Sequence, residues 1–117
     1  MTEKTRRKEL VDEYKQNRPE AGVFRIVNHR NNRVLVGSTS NLASMESKMR
    51  FARSTGSASA LHFALKEDGR KFGIEAFDLE ILEVLETRPE STSGQILSDL
   101  AVLESLWREK QDPSRLY

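Results

Sequence analysis

Few residues of this 117-residue chain are of a type that could do chemistry: Glu104, Lys48, two histidines and a scatter of arginines. Ile96, Leu100, Leu103 and Trp107 recur at helical spacing. At about 100° per residue, Glu104 falls between Leu100 and Leu97, inside the apolar arc of that helix. A carboxylate there is costly unless it meets a cation, a hydrogen-bond donor or a metal ion. His29 and His62 are the candidate proton carriers. Leu42, Met45 and Met49 share one face of another helical segment, a pattern that suits a core or an apolar contact surface. There is no cysteine, which excludes both a disulfide framework and a thiolate metal site.

The elements that must position these groups follow from patterning. Residues 3–17 read as a helix with Leu10, Val11 and Tyr14 as a narrow stripe, ended by Pro19. Val23 to Val27 and Val34 to Val36 are β-rich runs joined by His29-Arg30-Asn31-Asn32, which predicts a hairpin. Gly37 to Asn41 breaks the second strand and supplies caps for a helix from Leu42. A Ser/Gly-rich joint at 54–59 leads to a further helix carrying Leu61 and Leu65, with Asp68-Gly69 and Phe72-Gly73 marking its end. Phe77, Leu79 and Ile81 alternate with Asp78, Glu80 and Leu82 as a third strand with one wetter face. After a loop at 87–94 comes the helix bearing Glu104. The expected organisation is an N-terminal helical extension at 1–20, a domain at 21–112 and a tail at 113–117.

Composition bounds the function. With 37% hydrophobic and 32% charged residues, a small core under a very polar surface is expected. No stretch is apolar enough to span a membrane or act as a leader, so a soluble protein of a reducing compartment, the cytoplasm of a bacterium, is expected. The net charge of +1 conceals a basic middle, residues 21–72, and an acidic final third. Arg25, Arg33, Lys48, Arg50, Arg53, Arg70 and Lys71 are the candidate contacts to a phosphate backbone. The competing reading is ordinary charge that mixes once the chain folds.

The ordered motifs resemble the GIY-YIG endonuclease family. Gly22-Val23-Phe24 stands where the family has Gly-Ile-Tyr. Leu35-Val36-Gly37, followed by Ser38-Thr39-Ser40-Asn41-Leu42, stands where it has its second tripeptide, a Ser/Thr-rich turn and Asn-Leu. Phe72-Gly73, the segment Phe77 to Glu83, and Glu104 before Trp107 match later family segments. Tyr14 to Glu20 is similar to a small bacterial subgroup found alone or attached to transcriptional regulators. The resemblance implies an α/β (α+β) fold with a three-stranded sheet flanked by helices, here with an extra N-terminal helix. Gly22, Gly37 and Asn41 would be its structural motif residues.

It also implies a divalent-metal-dependent nuclease, and here the chain departs from the pattern. The two tyrosine positions hold Phe24 and Leu35, and the family's arginine and a frequent histidine are Met45 and Met49. None of these replacements can move a proton or carry charge. Losing one preorganised electrostatic group typically costs roughly 10²–10³ in rate. Lys48, three residues beyond Met45, could reach toward the vacated arginine site. Glu104 matches the family's lone protein ligand for Mg²⁺ or Mn²⁺, a weak site without phosphate. Three functions compete: a DNA-binding domain with weak or no cleavage; an active metal-dependent nuclease using Lys48 with Glu104; and a regulatory module pairing with itself or another protein through its N-terminal helix.

Overall fold

The computed structural model describes residues 19–117, and the N-terminal helix expected over residues 3–17 lies outside them. Strand β1, Ala21–Asn28, is the middle of a three-stranded sheet of order β2-β1-β3, antiparallel to β2, Val34–Thr39, and to β3, Phe77–Leu85. Helix α1, Leu42–Thr55, follows β2; short helix α2, Lys66–Phe72, precedes β3; and helix α3, Ser93–Glu109, follows it. The expected hairpin, third strand and flanking helices are therefore present.

β1 is buried at every position but Arg25, because the sheet is covered on both faces. On one face Phe24, Ile26 and Phe77 pack with Met45, Met49 and Ala52 of α1 and with Leu61, Leu65 and Ile74. On the other, Ala21 packs with Ile96 and Leu100 of α3. The Asn-rich turn works as its composition predicts. Asn32 takes a left-handed φ of 60°, Asn31 Oδ1 accepts the Arg33 N–H at 3.0 Å, and the Asn28 N–H bonds the Arg33 carbonyl at 2.8 Å. Asn41 caps α1 by accepting the Ser44 N–H at 3.1 Å. Thr92 and Gln95 form a reciprocal capping box at the start of α3.

Three features differ from expectation. The segment after α1 is not one helix but two 3₁₀ turns, Ala58–Ala60 and Phe63–Leu65, ahead of α2. His62 is extended (φ −165°, ψ 141°), and its Nδ1 accepts the Ala64 N–H at 3.1 Å; that side-chain bond starts a new turn instead of continuing a helix. Leu61 and Leu65 are nonetheless both buried. Asp68-Gly69 does not end a helix but lies inside α2, where Gly69 leaves room for Ala58; the chain turns only at Gly73, φ 83°. In β3 the pairing slips so that Phe24 faces Ile81 and Val23 faces Glu83, which makes Leu82 a bulge.

Residues 113–117 are docked on the domain. The Tyr117 N–H bonds the Val34 carbonyl at 3.0 Å beside β2, and the Arg33 guanidinium lies 4.2 Å from the centre of the Tyr117 ring. The Tyr117 hydroxyl donates to Asp68 Oδ2 at 2.6 Å and accepts from Asn28 Nδ2 at 3.0 Å; Asn28 is the one fully buried polar residue among those described. The Tyr117 bond is the main cause holding the Asp68 carboxyl below its ordinary value, aided by Asn31, Arg33 and Asn28 against the effect of burial. Burial and the Asp68 carboxylate together hold the Tyr117 phenol above its ordinary value.

Candidate functional site

Strand β2 is the outer strand of the sheet on the side away from β3; Leu116 and Tyr117 bridge its start at Val34, and a cleft of about 520 Å³ wraps around the rest of that edge. Phe24, Leu35, Met45 and Leu61 form its apolar floor; Ser38, Lys48, His62, Glu104 and Arg108 stand around it as the polar wall. Pairing sets this up. Phe24 lies opposite Gly37 on β2, and a Cβ at Gly37 would sit 2.7 Å from Phe24 Cζ, so the missing side chain is what lets the ring lie across the strand. Alternation along β2 then sends Ser38 to the opposite sheet face, toward α3. Met45 is 6% exposed and belongs to the core, so it closes the floor from below. Lys48, three residues on, is exposed on the cleft wall.

Glu104 reaches the cleft from α3 with a side chain 24% exposed. Ser38 Oγ donates to its Oε1 at 3.0 Å, and Arg108 Nη2 lies 3.0 Å from its Oε2. The same Arg108 nitrogen donates to the Val36 carbonyl at 3.1 Å. The cation that a carboxylate in the apolar arc requires is therefore on its own helix, four residues on, a spacing visible in the sequence. Glu104 is the single carboxylate lining the cleft, and among the described residues no group of three or more His, Asp or Glu could hold a metal ion. Magnesium and manganese want a carboxylate open to them and keep their remaining positions for water or phosphate. A carboxylate already bound to a hydroxyl and a guanidinium does not fit such an ion well.

His62 also lines the cleft, although nothing in its sequence context points there. Because its Nδ1 accepts a backbone N–H, the neutral ring carries its proton on Nε2 and is a donor as it stands. His29 lies elsewhere, with Nε2 2.7 Å from Asp78.

The candidate phosphate contacts do not form one surface. Arg25 pairs with Glu80 at 2.6 Å, Arg53 with Asp78 at 2.7 Å, and Arg33 is held by Tyr117 and the Leu116 carbonyl. Two of these arginines thus pair with acids of the final third that β3 brings beside them, and both lie outside the cleft. Lys48 alone of the seven lines the cleft. Arg50 follows it on α1 and bonds only Ser47 among the described residues. Arg70 borders a shallow hollow with Phe63 and Lys66, and Lys71 lies over the Phe72 ring. Arg108, not among the seven, is the second cation of the cleft.

Compared with known proteins, the chain matches no family model, no curated protein and no solved structure.

Proposed function

We propose that the chain is a GIY-YIG-like domain whose cleft at the β2 edge binds the phosphodiester backbone of DNA and cleaves it weakly or not at all. The observation that carries this reading is the make-up of one cleft: donors Lys48, His62 and Arg108 stand around a floor of Phe24, Leu35 and Met45. A wall of donors suits a phosphate anion. Hydrolysis also needs a group to take a proton from the attacking water. Here Glu104 is engaged by Ser38 and Arg108, the His62 ring presents a proton, and the floor has no hydroxyl.

The test is binding of a fluorescently labelled duplex by anisotropy across a salt series, with cleavage of supercoiled DNA in Mg²⁺ or Mn²⁺ run in parallel. Affinity is expected to fall with salt, and Lys48→Gln to lower the logarithmic slope by about 0.9, one phosphate contact. No binding, or binding indifferent to salt, removes the reading. A second reading, an active nuclease with a nonstandard set, is favoured by the presence of His62 in the cleft beside Lys48 and Glu104. Metal-dependent nicking abolished by both His62→Ala and Glu104→Ala would establish it instead.

A further inference from the structure

Arg108 is tied down on one side only. Its Nη2 is shared between Glu104 and the Val36 carbonyl, while Nη1 and Nε have no hydrogen-bond partner among the described residues. The side chain is 51% exposed and lines the cleft opposite the α1 residue Lys48. A guanidinium held in this way keeps its orientation when a ligand arrives, so little side-chain freedom remains to be lost. It also cancels the charge of Glu104, which would otherwise repel an anion.

We infer that Arg108 takes the place of a divalent cation in this cleft: it neutralises Glu104 and offers its free N–H groups to a phosphate oxygen, so that DNA is bound without metal. This rests on the DNA-binding reading above and deepens it by naming what meets the phosphate. Arginine supplies fixed planar donors where a metal would supply a point charge and exchangeable waters. Glu104 then meets no phosphate: Arg108 cancels its charge and Ser38 bonds its other oxygen, while the Val36 carbonyl holds the guanidinium independently of that charge.

The two roles of Glu104 predict opposite signs, and that decides the matter. Duplex binding is measured by anisotropy in EDTA and in millimolar Mg²⁺ at matched ionic strength, with folding of each variant checked by circular dichroism. The wild-type protein is expected to bind in EDTA at least as tightly as in Mg²⁺. Arg108→Gln should weaken binding in EDTA roughly tenfold or more, as for loss of a charge-assisted hydrogen bond, and lower the salt slope by about 0.9. Arg108→Lys should keep the slope while recovering only part of the affinity. Glu104→Gln, which removes a negative charge beside the phosphate, should tighten binding roughly threefold. Tighter binding of the wild type in Mg²⁺, weaker binding by Glu104→Gln, or an unaffected Arg108→Gln would overturn the inference while leaving the DNA-binding reading intact. Absence of binding in both buffers would overturn both.

Discussion

Replacing Tyr117 by phenylalanine removes one oxygen atom from a network joining the last residues, the hairpin turn and α2. The hydroxyl donates to Asp68 at 2.6 Å and accepts from the buried Asn28 at 3.0 Å. Afterwards Asp68, whose side chain is 16% exposed, retains Asn31 at 3.0 Å and the more distant Arg33 and Asn28. A hydrogen bond to a charged group contributes about 1.5–3 kcal/mol, and the ring remains to fill its space, so a loss of about 2 kcal/mol at neutral pH is expected. For a domain of this size that lowers the melting temperature by roughly 10 °C. The pH dependence identifies the cause. The folded Asp68 carboxyl titrates below its unfolded counterpart, chiefly because of Tyr117. Its contribution is therefore fully present above the unfolded value of about 3.9 and is lost as pH falls through the folded value. The gap between wild type and variant should follow it, wide at neutral pH and narrowing in acid. At the alkaline end, the raised Tyr117 value stabilises the wild type below about 10, and that contribution disappears as pH rises further. Urea unfolding at a series of pH values measures all of this. A gap below about 0.5 kcal/mol at pH 7, or one that does not change in acid, would show that the hydroxyl does not hold Asp68 as described.

Other substitutions test the remaining supports. Gly22→Ala places a Cβ against the backbone carbonyl of Glu83, which only movement of β3 can relieve, so about 3 kcal/mol should be lost in thermal melts; Gly37→Ala meets the end of the Phe24 ring, which can tilt, and should cost nearer 1 kcal/mol. Gly37→Ala should also weaken DNA binding more than its effect on stability suggests, because the displaced ring enters the cleft. Asn41→Ala and Thr92→Ala each remove a cap that bonds a helix N–H and should each lower stability in urea by about 1 kcal/mol. Arg25→Gln, which breaks a half-exposed pair with Glu80, should change stability by less than about 1 kcal/mol and leave the salt slope of DNA binding unaltered, in contrast to Lys48→Gln. A reduced slope for Arg25→Gln would place DNA outside the cleft.

Much of the architecture was legible in the sequence because it is decided locally. Alternation and β-branching mark the strands, Asn31 and Asn32 close the hairpin through their own side chains and backbone angles, and Asn41 bonds a backbone group three residues away. Placing Glu104 on an apolar arc showed that it needed a partner, and the spacing to Arg108 offered one. The break at His62 was not legible, because imidazole has no strong preference that would reveal a cap.

The succession of elements and the apolar character of Phe24, Leu35, Met45 and Met49 follow from residue order alone. Which side chains meet depends on how those elements pack. Lys48, His62 and Arg108 come from three different segments and share a cleft because β2 lies at the edge of the sheet, leaving its flank open between α1 and α3. Arg25 and Arg53, as basic in sequence as Lys48, lie outside that cleft, beside β3, where Glu80 and Asp78 pair with them at 2.6 and 2.7 Å. Local preference reaches a few residues along the chain, whereas these ion pairs join groups 55 positions apart through strand pairing and 25 apart through the packing of a helix on the sheet.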